Sequence, residues 1–137
     1  RDRSGFARQM RHAVFVVSGV AMTYVVILLP FADVVVDWIG HPYYREKFSI
    51  LYLLLAASVT YVLAMVGYYG VYALRQSKRL FLNNTIALLF CHIIYFVLWF
   101  KEVTLAMPLA MLAAMLLLLI VNVSTFLRAF SRERIAV

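Results

Sequence analysis

Hydrophobic and polar positions follow one another along this chain in long blocks. Four apolar runs contain no charged residue, and the shortest has 20 residues: 13–32, 48–74, 80–100 and 103–127. A helix of about 20 residues crosses the ~30 Å hydrocarbon layer of a bilayer. Backbone groups in lipid must bond within their own segment, and the runs lack the strict alternation of a membrane β-strand. The pattern therefore predicts four transmembrane helices, at about residues 12–39, 48–74, 79–100 and 103–128.

The segments between the runs predict how the helices connect. RQSKR at 75–79 joins the second and third helices, and KE at 101–102 joins the third and fourth. Such short connections make consecutive helices antiparallel neighbours. The first connection is longer and contains Gly40 and Pro42, which end the first helix. We therefore predict an all-α integral membrane four-helix bundle with up-down-up-down topology, formed by residues 1–137 as one membrane domain.

Composition excludes an ordinary soluble domain. The chain is 66% hydrophobic and 14% charged, with a mean hydropathy of +0.92, whereas soluble domains are roughly 45–50% apolar. Its one cysteine, Cys91, can form no disulfide within the chain. The polar segments between the apolar runs are too short to hold an active site, which argues against an independent enzyme.

Lys and Arg residues are distributed unevenly between the two predicted membrane faces. Ten belong to the termini and the second connection: Arg1, Arg3, Arg8, Arg11, Arg75, Lys78, Arg79, Arg128, Arg132 and Arg134. Three belong to the opposite side: Arg45, Lys47 and Lys101. By the positive-inside rule both termini face the cytoplasm, and we assign the chain to a bacterial inner (plasma) membrane. The net charge of +7 then reflects orientation in the bilayer, and we expect no nucleic-acid partner.

The basic connection between the second and third helices is a candidate binding site for lipid headgroups. Each cation near an anionic membrane surface contributes about 1 kcal/mol to its attraction. Arg75, Lys78 and Arg79 are therefore predicted to attract anionic lipid headgroups, the alternative being that they serve orientation alone.

Small residues recur at helix-packing spacing in two of the predicted helices. Ala106, Ala110 and Ala114 follow one another at four-residue intervals, and Gly67 and Gly70 lie near the end of the second helix. Small side chains let membrane helices approach closely without a hydrophobic driving force. We predict that these five residues form helix-packing surfaces.

Three asparagines form the predicted polar cluster of the interior. Asn83 and Asn84 lie one turn inside the start of the third helix, and Asn122 lies one turn inside the end of the fourth, followed by Ser124 and Thr125. Because the two helices are antiparallel, we expect these amides to meet at the same depth in the inner leaflet. They act either as structural hydrogen bonds between helices or as a polar vestibule for a lipid or sugar headgroup.

His92 is the ionisable residue in the middle of a predicted span. It lies about 18 Å along the third helix from Leu80, near the bilayer midplane. One interpretation is a neutral imidazole bonded to a tyrosine or a backbone carbonyl. The other is an axial ligand of haem, with Met111 as the internal candidate for the second ligand, because His12 and His41 lie at or beyond the membrane boundaries.

Acidic residues at the outer end provide oxygen atoms that suit a hard cation or a proton relay. The candidates are Asp33, Asp37, His41 and Glu102. Basic residues on the same side lie close enough to neutralise them, so we predict no metal site.

These features favour a non-catalytic polytopic membrane protein. We predict a small accessory or anchor subunit that packs against larger subunits of a bacterial membrane complex, with the lipid bilayer as its other partner. We expect no cofactor in this role. A haem-binding respiratory anchor subunit that uses His92 is one alternative.

The layout also resembles that of the GtrA-like proteins associated with polyprenyl-linked sugar translocation. The shared features are four helices, termini inside, a basic loop between the second and third helices, and the polar and then basic ending NVSTFLRAFSRER. The chain differs in its long first outer loop and has YALRQS where those proteins carry an asparagine-arginine pattern. The resemblance implies, as a further alternative, a small transporter or flippase of a lipid-linked sugar.

Overall fold

The computed structural model describes residues 3–39 and 48–135. Within these two stretches the chain forms four helices: α1 (Arg3–Ile39), α2 (Phe48–Ala73), α3 (Ser77–Phe100) and α4 (Ala106–Ile135). Each contains a segment long and apolar enough to cross a membrane. The prediction of an all-α chain with four membrane-length helices is confirmed. Arg1 and the first connection, residues 40–47, lie outside the described residues.

The first and last helices are longer than their apolar runs. α1 begins at Arg3, ahead of the predicted start near residue 12, and continues through Pro30. α4 ends at Ile135, beyond the predicted end near residue 128. An apolar run marks the part of a helix that fits the hydrocarbon, but arginine and alanine in the flanks are also good helix formers. Both helices therefore extend beyond the membrane-length segment.

The connections before and after α3 are both short and have the same backbone conformation. Arg75 and Glu102 adopt left-handed conformations, with φ of 58° and 56°. In each connection the amide one position later donates to the carbonyl five residues before it, at 3.3 Å and 3.1 Å. This is the hydrogen-bond pattern of a Schellman motif, here without glycine at the left-handed position. It ends α2 and α3 and leaves only a few residues before the next helix.

α4 is the central element of the packing. It makes extensive contacts with both α2 and α3, whereas α2 and α3 scarcely touch each other. Ala64, Ala87 and Leu118 form the buried cluster where the three helices meet, and Met115 and Leu119 pack against it. Small residues on α2 and α3 let α4 lie close to both.

α1 lies at the periphery and packs mainly against α2. Ala21 is a buried residue of α1, while large apolar side chains such as Phe15 and Val20 are exposed. Near the start of α1, Phe6 contacts Phe126 and Phe130 of α4, with ring centroids 6.3 Å and 6.4 Å apart. Where α1 contacts α4, it therefore does so near the start of α1.

Candidate functional site

A chain of buried amides joins α2, α3 and α4. Asn83 Nδ2 donates to Asn122 Oδ1 at 3.0 Å and to Thr125 Oγ1 at 3.2 Å. Asn122 Nδ2 donates to the backbone carbonyl of Ala64 at 3.3 Å. Asn83 is 6% exposed and Asn122 is fully buried. Because a buried amide left unpaired costs about 1–3 kcal/mol, these bonds favour one relative depth of the three helices.

Gly67 provides the space that the amide chain needs. A Cβ atom added to Gly67 would lie 3.2 Å from Asn122 Cβ and 3.3 Å from the backbone nitrogen of Val123. Both are atoms of α4 close to its backbone, which cannot move aside as the tip of a long side chain can. The absence of a side chain at Gly67 therefore allows α2 to approach α4 where Asn122 reaches the carbonyl of Ala64.

The other predicted packing residues also lie in buried positions. Ala106, Ala110 and Ala114 are all buried on α4, and Gly70 is buried on α2. A Cβ atom at Gly70 would lie 2.8 Å from a ring carbon of Phe126. Alanine and glycine thus occupy buried positions on both α2 and α4, the two helices that contact each other most extensively.

Asn84 lies outside the amide chain. Its Nδ2 group donates to the carbonyl of Leu80 on its own helix at 2.9 Å, and the residue is exposed. The structure therefore brings together two of the three asparagines of the predicted cluster, Asn83 and Asn122. Thr125, one turn after Asn122 and expected at the same depth, is the third side chain of the cluster. The acceptor on Ala64 is a backbone group, so no residue type in the sequence marks it.

His92 is exposed on α3, and its Nδ1 lies 2.8 Å from the carbonyl oxygen of Leu88. A carbonyl only accepts hydrogen bonds, so Nδ1 carries the proton, and in a neutral imidazole Nε2 is then the acceptor. His92 lies five residues after Ala87, which packs in the cluster with Leu118, or about 140° further around the helix. The imidazole therefore points away from α4, the helix that carries Met111.

The basic connection borders a cleft whose lining combines hydroxyl and amide groups with the apolar side chains of Leu80, Phe81 and Leu88. Arg75, Lys78 and Arg79 are all exposed. Beside them, a cavity of about 320 Å³ lies between the end of α2 and the start of α3, with Tyr68, Tyr72, Ser77, Asn84 and Thr85 in its lining. Hydroxyl and amide groups thus adjoin the three cations predicted to attract lipid headgroups.

The acidic residues at the opposite end do not form a metal-binding group within the described part of the chain. There, no three His, Cys, Asp or Glu side chains lie together. Asp33 and Asp37 are exposed on α1, and Glu102 lies in the connection before α4. His41, Arg45 and Lys47, which belong to the same predicted region, lie outside the described residues.

Comparison with protein-family models, with curated proteins and with solved structures finds no match to this chain.

Proposed function

We propose that this chain is a non-catalytic polytopic protein of a bacterial inner membrane, and that it packs as a small accessory or anchor subunit against a larger membrane complex. The observation that carries the proposal is the outer face of α3. There, Asn84 and His92 are exposed two helical turns apart, with Leu88 between them.

Polar groups at this position are costly against lipid. The imidazole of His92 lies near the middle of a membrane-length helix, and Nε2 of the neutral tautomer is an acceptor that acyl chains cannot satisfy. The amide oxygen of Asn84 is a further acceptor, because the hydrogen bond to Leu80 uses only the Nδ2 group. It lies nearer the end of the helix than His92, in the lining of the cleft between α2 and α3. A neighbouring protein helix with hydroxyl, amide or imidazole donors would satisfy both groups, as polar residues do between membrane helices.

Large apolar side chains surround the two polar groups. Phe81, Leu88, Phe96 and Trp99 are all more than half exposed on α3. Apolar exposure alone suits lipid as well as protein. The combination of exposed apolar side chains with unsatisfied acceptors on one helix face favours contact with a protein. We define the outer α3 face as Asn84, Leu88, His92 and these aromatic neighbours.

Two observations support the up-down-up-down arrangement with both termini cytoplasmic. Phe6 at the start of α1 contacts Phe130 near the end of α4, and Asn83 near the start of α3 bonds Asn122 on the second half of α4. The basic residues concentrate at this same end of the helices, as the positive-inside rule requires of a cytoplasmic side.

The proposal is tested by purifying the tagged chain from its native membrane in a mild detergent and measuring the stoichiometry of co-purifying polypeptides. We expect larger membrane subunits in a fixed molar ratio. The double substitution Asn84→Leu and His92→Leu should release them while expression is maintained. Ser58→Ala, which removes an exposed hydroxyl bonded to its own helix on α2, is the matched control and should retain them.

A contrary outcome is equally specific. If the chain purifies as a stable homo-oligomer without other polypeptides, and the double substitution leaves it unchanged, the subunit proposal is wrong. The transporter alternative then gains support, and substitutions of Asn83 and Asn122 should be tested for loss of flux.

The orientation of His92 favours one specialised form of this role. Histidines that bind metals usually donate the other ring N–H to a carbonyl or carboxylate, as Nδ1 does here to Leu88. A haem bound by Nε2 would lie outside this chain's own bundle and would take its second ligand from a partner subunit. A Soret band in the native complex that disappears on His92→Ala would support this form.

A further inference from the structure

An apolar cleft separates the first half of α1 from α2 and α4. Its volume is about 590 Å³, within the ~300–1,000 Å³ range of small-molecule sites. α1 contributes Met10, Arg11, Val14 and Ser18 to the lining, and α4 contributes residues from Leu119 to Phe130. The cleft arises because α1 approaches α4 at Phe6 but packs mainly on α2 further along.

The length of the cleft matches one leaflet of a bilayer. From Met10 to Ser18 the lining of α1 spans about 12 Å, and from Leu119 to Phe130 that of α4 spans about 16 Å. Half of the ~30 Å hydrocarbon layer is about 15 Å. An acyl chain that entered at the Phe130 end would therefore reach the level of Leu119 near the midplane.

The charge in the lining lies at one end of the cleft. Arg11 is the charged member of the lining, and the other positions are apolar apart from Gly67 and the hydroxyl of Ser18. Asp33, Asp37 and Glu102, the acidic residues whose side chains are described, belong to the far ends of α1 and α3. The positive charge at the mouth of an apolar cleft complements a ligand with an anionic head and a long apolar tail.

We propose that the cleft binds one anionic glycerophospholipid of the surrounding bilayer. One acyl chain lies between α1, α2 and α4, and the phosphate contacts Arg11. Bound in this way, the lipid fills the space that separates α1 from α4, and it connects the peripheral helix to the rest of the bundle.

The test uses the purified full chain in detergent, titrated with phosphatidylglycerol or with phosphatidylcholine of the same acyl chains and observed by native mass spectrometry. We expect one phosphatidylglycerol bound per chain, with about fivefold preference over phosphatidylcholine, since one cation near an anionic lipid contributes about 1 kcal/mol. Arg11→Gln should remove the preference, and Arg11→Lys should retain it. Arg8→Gln removes the same charge three residues earlier but lies outside the lining of this cleft, so it should retain the preference.

A second pair of variants tests the acyl-chain part of the site. Val14→Trp places a bulky ring in the lining of the cleft and should weaken retention of either lipid. Val20→Trp places the same ring at an exposed position of α1 outside the lining and should have no effect. Circular dichroism and a monodisperse elution profile establish that each variant is folded.

Three results would overturn the proposal. The first is an equal loss of preference in Arg8→Gln and Arg11→Gln, which would indicate general attraction to the basic rim. The second is unchanged lipid retention in folded Val14→Trp. The third is displacement of the lipid by inorganic phosphate, which would indicate that the head alone is recognised.

Discussion

Asn83 and Asn84 are neighbours with identical side chains, yet they lie in opposite environments. Asn83 is buried and bonds Asn122 and Thr125 of another helix, whereas Asn84 is exposed and bonds the carbonyl of Leu80 on its own helix. One residue corresponds to about 100° of rotation around a helix, which is enough to move a side chain from the interior to the surface. The inner amide stabilises this chain's own packing, and the outer amide leaves an acceptor for another molecule.

His92 extends the same comparison along α3. It shares the outer face with Asn84 and, like it, bonds a carbonyl four residues before it. The polar groups of the inner face are thus paired across helices, and those of the outer face are paired only locally. Substitutions on the two faces should therefore affect different properties, stability on the inner face and association on the outer face.

The largest effect is expected for Gly67→Leu. Its side chain would press on Asn122 and on the backbone of Val123, so α2 and α4 would separate and the amide chain would break. We expect a loss of about 3 kcal/mol in the free energy of unfolding, the upper part of the range for overpacking. Unfolding by SDS titration, followed by circular dichroism, measures it.

Gly19→Leu is the matched control for Gly67→Leu. Nothing lies within 4 Å of a Cβ atom built at Gly19 on α1, so this variant should be as stable as the native chain or slightly more so, because glycine is a poor helix former. Equal losses in the two variants would mean that α2 and α4 are not in close contact at Gly67.

Asn122→Leu should have the next largest effect. It removes the bond from Asn83 and the bond to Ala64, and it leaves the buried amide of Asn83 with Thr125 as its remaining partner. We expect a loss of about 2 kcal/mol in the same SDS titration, within the range for buried groups that lose their partners. Asn84→Leu is the control and should change stability by less than about 0.5 kcal/mol. A larger loss for Asn84→Leu than for Asn122→Leu would contradict the assignment of Asn84 to the outer face.

The contrast between the faces of α3 also explains which features could be predicted from sequence. Hydrophobic run length identifies the helices, because the bilayer sets one thickness for all of them. The spacing of residues along antiparallel helices also predicts that Asn83 and Asn122 share a depth. Which side of α3 faces the interior is harder to predict, since α3 is apolar all around and has no continuous polar stripe along one side. The sequence therefore groups Asn84 with Asn83, whereas the structure separates them.

Features that depend on distances between helices could not be predicted either. The cleft at Arg11 exists because α1 leaves α4 after its first turns, and hydropathy carries no information on that separation. The left-handed conformations of Arg75 and Glu102 are not predictable from the sequence either, since a glycine is the usual sequence signal for such a position. In each case the missing information is tertiary packing.

The smallest effect on the isolated chain is expected for His92→Leu. The imidazole is exposed and its hydrogen bond lies within α3, so we expect the unfolding free energy of the purified chain to change by less than about 0.5 kcal/mol. Ala87→Leu, five residues earlier on the buried face, controls for the sensitivity of the assay and should lose about 1–3 kcal/mol by overpacking. In the proposed complex, by contrast, His92→Leu should weaken retention of the partner subunits. A loss above about 1 kcal/mol in the purified chain alone would mean that His92 is satisfied within this chain or between its copies, and the outer α3 face would then no longer be evidence for a different partner.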